Sequence, residues 1–517
     1  MSPSVKPRAL SLALLCALTL GACGDDGSAA TSGPDPATLV PADALLYAEG
    51  LVRPEGERRE EIESALAALL GDDDPGQTIV EEIEAGLAEE GTELSYAQDI
   101  EPWLGERAGI FFADFEREAN GAAILESTDE EEAQAGLKRL ADQEGIATEE
   151  SYGGVSYTVT DEDSAIGIVD GFAVIGSVPG FESVVDAARG DSLADSDEFE
   201  RVTADAREQG VITAYADPAS VLEALVASGE ISEQQRAAVA EAAGEHLDAP
   251  VVVATGVDGD GLYVEVSAAA AETGVPGESD LIERIPADAS IAFGLSDMGE
   301  RLAMGLAQAI ALDPAAAAKL DRLEAETGID LEVAAESFGD VAGYFRGTSL
   351  FGLGGALILE TSDEQAANDL LDRLREALSS DPSVTVQPGD DEGEAFSVSP
   401  AGVPIEFPFV FRDGLVVAGL GSGSVEQAYA PESSLIDSDA YDAAKEALGD
   451  GFSLSALVDA EPLVELLAGI PDVATDPDLQ AALPYLERID LLALGVRESD
   501  GRASGRLALA LDQGVEE

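Results

Sequence analysis

Only one histidine, His246, and two cysteines, Cys16 and Cys23, occur in 517 residues, and Trp103 is the single tryptophan. So few imidazoles and thiols exclude Cys- or His-built zinc sites and Cys-His catalysis. A Ser-His-Asp triad would have to use His246, and no G-x-S-x-G elbow accompanies it. Basic residues are scarce as well: 26 Lys+Arg stand against 105 Asp+Glu, a formal charge of -79. That field repels phosphate backbones and excludes nucleic acid as a partner. Aromatics make up 5% of the chain, too few for the stacking platforms of a sugar hydrolase. No apolar run reaches the roughly 20 residues that a spanning helix needs; residues 250–271 come nearest and are broken by Asp258, Asp260 and Glu265. Against these absences stands a hydrophobic fraction of 45%, the balance of a folded protein with a sizeable core.

Lys6 and Arg8 precede an apolar run over 9–20, which ends in Leu20-Gly21-Ala22-Cys23. A short positive segment, a short apolar segment and small residues before a cysteine form a lipoprotein signal, with cleavage expected between Ala22 and Cys23. Resemblance to bacterial lipoproteins implies that the Cys23 thiol takes a diacylglyceryl group and becomes the first mature residue. Cys16 leaves with the leader, so no internal disulfide is available and the fold must rest on core packing. Residues 23–38 are rich in Gly, Ser, Ala, Asp and Pro without periodicity and are expected to be the lipidated cysteine and a flexible tether, of roughly 20 Å root-mean-square span.

The mature chain repeats itself. VPADALLYAEG at 40–50 is echoed by IPADASIAFG at 285–294, LGERAGIFF at 104–112 by FGDVAGYF at 338–345, and AAILESTDEEEAQAGLKRLADQ at 122–143 by ALILETSDEQAANDLLDRLREA at 356–377. Three further blocks follow in the same order, at offsets between 233 and 245. The period is far too long for a solenoid repeat. Two α+β lobes are expected, 39–275 and 282–515, divided at the Gly, Pro and Ser cluster of 272–281. Within each, short apolar runs bounded by Gly and charge read as strands. Asp170-Gly171 and Asp413-Gly414 read as tight hairpin turns, and Thr128-x-x-Glu131 and Thr361-x-x-Glu364 as capping boxes that open helices. Asp217-Pro218 supplies an N-cap and first-turn proline. Strands joined by tight turns are antiparallel, so the fold class is α+β: two tandem homologous lobes, each an antiparallel sheet covered by helices.

The VPADALLYAEG opening, the AGIFF and AILES strands and the lipobox resemble a bacterial envelope lipoprotein family with a domain of unknown function (DUF3352-like), here in two tandem copies. That resemblance implies a signal or membrane anchor and an envelope location, and carries over no catalytic residue.

Other features have plain readings. His246 ends an amphipathic helix, where the macrodipole favours a cation. Gly419-Leu420-Gly421-Ser422-Gly423 joins a strand to a helix and lacks the lysine of a phosphate loop. The acid clusters Asp72-Asp73-Asp74, Asp161-Glu162-Asp163, Asp258-Gly259-Asp260 and Asp390-Asp391-Glu392 lack the spacing of a calcium loop. No catalytic, cofactor or metal residues are assigned. The expected function is that of a non-catalytic protein on the outer face of the cytoplasmic membrane, held there by its N-terminal lipid, with a binding or structural role. The alternatives are a solute-binding lipoprotein of a transporter and a carboxylate-dependent envelope hydrolase. Loss of Lys6 and Arg8 with the leader takes the charge from -79 to -81. Self-repulsion of that size relaxes as the screening length falls from about 30 Å at 0.01 M to about 3 Å at 1 M salt. The melting temperature is therefore expected to rise between those conditions; a flat or falling value contradicts it.

Overall fold

In the computed structural model, the residues described are 33–89, 94–115, 120–143, 148–160, 164–259, 261–270, 274–299, a few positions between 301 and 325, 337–349, 352–389, 394–402, 405–421, 423–470 and 477–512. Cys16, Ala22, Cys23, Ser422 and the clusters at 161–163 and 390–392 lie outside them. The chain divides into two compact units, Met1–Ala269 and Ala270–Glu517.

Short runs of large apolar residues become strands, as their composition dictates. In the first unit these are β1 (Leu46–Leu51), β2 (Leu104–Phe112), β3 (Gly121–Ser127), β4 (Thr148–Tyr152), β5 (Val155–Val159), β6 (Ser164–Val169), β7 (Phe172–Ser177), β8 (Ile212–Ala216), β9 (Val251–Asp258) and β10 (Gly261–Ala269). All pair antiparallel, in the order 4-5-6-7-3-2-1-8-9-10. The β6–β7 turn is made by Asp170 and Gly171 at φ 45° and 86°, the doubly positive geometry of a two-residue hairpin.

Both faces of this sheet are buried. On one side Tyr47, Phe111, Ile124, Phe172 and Val174 pack with Phe181 and Val184 of the helix Val178–Ala187 and with Phe199 of the helix Asp197–Gln209. On the other, Leu125, Ala173 and Ile175 pack with Ile83 and Leu87 of the helix Pro75–Glu89 and with Leu137 and Leu140 of the helix Glu130–Gln143. Alternate residues of β3 and β7 thus serve opposite cores, which is why both strands are apolar at nearly every position.

In the second unit the strands are β11 (Ile291–Leu295), β12 (Phe338–Arg346), β13 (Gly354–Thr361), β14 (Val384–Pro388), β15 (Glu394–Pro400), β16 (Phe407–Arg412), β17 (Leu415–Leu420), β18 (Ser453–Asp459), β19 (Ile489–Ser499) and β20 (Arg502–Leu511). Their order is 14-15-16-17-13-12-11-18-19-20, again antiparallel throughout. The helix Glu364–Ser379 places Ala367 and Leu371 on Phe396, Val398 and Val416. Each unit is therefore α+β, an antiparallel sheet with helices on it.

Three details differ from the sequence expectations. The helices after β3 and β13 are capped by Asp129 and Asp363, not by Thr128 and Thr361: each carboxylate accepts two backbone N–H bonds at 3.0–3.2 Å. The threonine hydroxyls instead donate to the carbonyls of Trp103 and Ser337. His246 lies in a 3-10 turn, Gly244–Asp248, beyond the helix Glu233–Ala243. The expected tether is already part of the body at its end: Pro36–Leu39 is a 3-10 turn capped by Asp35, with Ala37 and Leu39 in the core. Among the described residues no helix is long and apolar enough to cross a membrane.

Candidate functional site

Tyr47 points into the core, and in a strand the residue two positions on points the same way. That residue is Glu49, 7% exposed. A carboxylate so placed is costly unless it is paired, and it has three partners. Arg207 meets Glu49 Oε1 through Nε, and its Nη2 lies 3.3 Å from Oε2. Arg107 Nη2 donates to Oε2 at 2.7 Å, and the Tyr47 hydroxyl to the same oxygen at 2.9 Å. Arg207 Nη2 also donates to Asp35 Oδ1 at 2.6 Å, with Arg107 Nη2 3.7 Å from that oxygen. Two guanidiniums thus hold two carboxylates in a neutral cluster, and Arg207 lies over the ring of Phe199, 5.4 Å from its centroid.

Local structure positions each member. Arg207 stands eight residues after Phe199, on the stripe of its helix that faces the sheet. Arg107 sits where β2 slips register against β3, between Leu104 and Ala108. The freed N–H groups of Glu106 and Arg107 donate to Glu126 Oε2, each at 3.0 Å. Glu126 can be buried there because Gly33 and Gly105 lie against it: a Cβ on either would stand 2.5 Å from its side chain. Asp35 caps the Pro36–Leu39 turn through the Ala37 N–H at 2.9 Å.

Burial works to raise the pKa of Asp35. The hydrogen bond and charge of Arg207, the Ala37 N–H and the charge of Arg107 outweigh it and hold the carboxyl below its ordinary value. Burial likewise opposes the charge on Arg207, yet its bonds to Glu49 and Asp35 push its pKa up. Tyr47 is driven well above the usual phenol value by burial and by Glu49. Glu106, beside the slip, is raised by burial and by the charges of Glu126 and Glu55. A cavity of about 280 Å³ opens next to the cluster, lined also by Leu51, Gly210, Val211 and Thr213. Two fully paired carboxylates and a phenol held protonated make a clasp rather than an acid-base pair.

At the matching strand positions the second unit has Gly294 and Asp340 in place of Glu49 and Arg107. Its corner is closed by other chemistry: Glu278 accepts from the Tyr441 hydroxyl and from Lys445 Nζ, and Asp340 Oδ2 accepts from the Ser279 hydroxyl at 2.6 Å.

Of the features singled out in the sequence, Asp72 and Asp74 cap the helix Pro75–Glu89, accepting from the Thr78 hydroxyl and the Gln77 N–H. Ser424, after the glycine-rich turn, accepts from the Gly355 N–H at 3.2 Å, a strand-to-helix packing contact. Among the described residues no group of three or more His, Cys, Asp or Glu could hold a metal ion. The cluster of Asp35, Glu49, Arg107 and Arg207 was not anticipated; its one local signal is the glutamate two positions after an inward tyrosine in β1.

Arg207→Ala, which leaves Glu49 buried and half-paired, is expected to destabilise the chain by about 3–5 kcal/mol in urea unfolding. The depressed pKa of Asp35 fixes the pH dependence: its contribution is complete above the unfolded value of about 3.9 and is lost as pH falls through the lower folded value. The stability gap between the chain and its Asp35→Asn variant should therefore be constant near neutrality and close below about pH 4; a gap that widens in acid contradicts the clasp.

No curated protein matches the chain. Among solved structures, "Structure of crystal form I of TP0453" is similar at 10% identity and a TM-score of 0.25, over 47% of this chain and 80% of that one. Residues 11–397, which include Asp35, Glu49, Arg107 and Arg207 of the clasp, match the family described as "Protein of unknown function (DUF3352)", and the chain belongs to this family.

Proposed function

We propose that the chain is a non-catalytic lipoprotein of the bacterial envelope, held by a diacylglyceryl group on Cys23 at the outer face of the cytoplasmic membrane, with a binding or structural role. The observation that carries this reading is the clasp. Asp35 stands twelve residues after Cys23, and there Arg207 and Arg107 seize the chain just before it enters the core through Ala37 and Leu39. A body held from one end needs the start of its folded part fixed to elements distant in sequence. Arg207 supplies this from a helix and Arg107 from a central strand.

The two units are, in this proposal, copies of one ancestral lobe. Support comes from their common strand order and from the positive-φ pairs Asp170-Gly171 and Asp413-Gly414. The bridges Pro41 to Ser192 and Pro286 to Ser434 tie the same turn to the same loop in each, and Leu193 and Leu435 follow as buried anchors whose N–H groups reach the Val40 and Ile285 carbonyls.

Expression in a bacterial host that processes lipoproteins tests the anchor. Mass spectrometry of the mature N-terminus should find Cys23 with a diacylglyceryl group, and Cys23→Ala should move the chain out of the detergent-partitioning fraction. A mature N-terminus elsewhere, or an unmodified Cys23, overturns the proposal.

A further inference from the structure

The clasp of the first unit uses only part of its two guanidiniums. Each arginine carries five N–H donors in a rigid fork. Arg207 commits Nε and Nη2 to Glu49 and Asp35, and Arg107 commits Nη2 to Glu49. Among the described residues nothing accepts from Nη1 of either arginine or from Nε of Arg107. Both side chains line the cavity of about 280 Å³ beside the clasp, and at 14% and 20% exposure neither is sealed. The same lining holds Glu208, which is exposed and paired with no cation among the described residues. Asp35 and Glu49 are already taken by the guanidiniums, so Glu208 is the acidic side chain of the lining left for a cation. Leu51 and Val211, both buried, add an apolar wall. The second unit does not repeat the arrangement: Gly294 and Asp340 stand at the positions of Glu49 and Arg107.

We infer that this cavity binds a small zwitterion, an α-amino acid, whose carboxylate takes the spare N–H groups of Arg107 and Arg207 and whose ammonium meets Glu208. Guanidiniums with donors left over select a carboxylate, which they can hold through two parallel bonds. A plain anion is opposed by Glu208 and by the field of a chain whose formal charge is -79. A plain cation is opposed by the two guanidiniums. A zwitterion presents each charge to its opposite and brings no net charge into that field. The volume lies just under the roughly 300–1,000 Å³ of drug-sized sites, which sets a small ligand, and Leu51 and Val211 favour a short apolar side chain on it. The chain's own residues before the clasp match only half of this: positions 23–34 hold Asp25 and Asp26 but no Lys or Arg, so they leave Glu208 unmet. Such a ligand supplies the binding half of the proposed role, and the site stands whether or not Cys23 carries a lipid.

The test uses the full chain with Cys23→Ser, so that no lipid of its own is attached, titrated calorimetrically with L-alanine and then with acetate, methylammonium and glycine betaine. The expected result is saturable binding of L-alanine at one site per chain. Acetate and methylammonium, each carrying half of the match, should bind at least tenfold more weakly, and so should glycine betaine, whose cation has no N–H to donate. Arg107→Lys keeps a cation beside Glu49 but removes the fork; it should weaken L-alanine roughly tenfold or more, with the melting temperature followed alongside. Glu208→Gln, exposed and outside the clasp, should weaken it roughly two- to fivefold. Glu446→Gln, exposed on the helix Asp439–Leu448 of the second unit, should leave it unchanged. Heats that do not saturate with L-alanine, or binding indifferent to both Arg107→Lys and Glu208→Gln, overturn the inference. So does acetate or glycine betaine binding as tightly as L-alanine, because the site then reads only one of the two charges.

Discussion

Strands β3 and β7 bury alternate side chains in opposite cores, and the rest of the first unit is arranged around that two-sided burial. Its necessity follows from what the chain lacks. The only cysteines are Cys16 and Cys23, so nothing after them is covalently stapled, and a surface charge near -80 works against compaction. Each fully buried Phe, Val or Ile in these strands contributes about 1.5–3 kcal/mol. Phe172 and Val174 supply this on one face, Ala173 and Ile175 on the other, so helices are needed on both sides to collect it. The second unit has the same strand order, and its helix Glu364–Ser379 packs Ala367 and Leu371 on Phe396, Val398 and Val416.

Ion pairing plays a narrower part. In a chain so rich in carboxylates, most surface pairs contribute little, and several are neighbours on one helix, such as Arg236 with Glu233 and Lys138 with Asp142. The buried cluster differs because it joins four segments: the N-terminal turn, β1, β2 and the helix Asp197–Gln209. Its charges balance, so it fixes the entry of the chain without adding to the field. The second unit closes the same corner with Glu278, Tyr441 and Lys445, which marks the corner as a mechanical requirement of the topology and the paired arginines as one solution to it.

What could be read beforehand depended on range. The Asp170-Gly171 and Asp413-Gly414 turns were legible because a two-residue hairpin demands two positive φ values, and aspartate followed by glycine supplies them. The Asp217-Pro218 helix start was legible for a similar local reason and is observed, with Asp217 accepting from the Ser220 N–H. The Thr128 cap was misread because a neighbouring carboxylate competes for the same N–H groups and wins, leaving the hydroxyl to reach back to Trp103. The clasp was invisible because Glu49 lies 58 residues from Arg107 and 158 from Arg207. Only the order 3-2-1-8 brings them together, and no periodicity announces that order.

Hydrogen exchange of the full chain, followed by mass spectrometry of its peptides, tests most directly whether two-sided burial organises the fold. Local opening is least favourable where a strand is covered on both faces. The account predicts that peptides from β3 and β7 exchange slowest in the first unit, with the edge strand β4 far ahead of them. Equal protection of edge and centre, or loss of β3 protection before that of the covering helices, would contradict it.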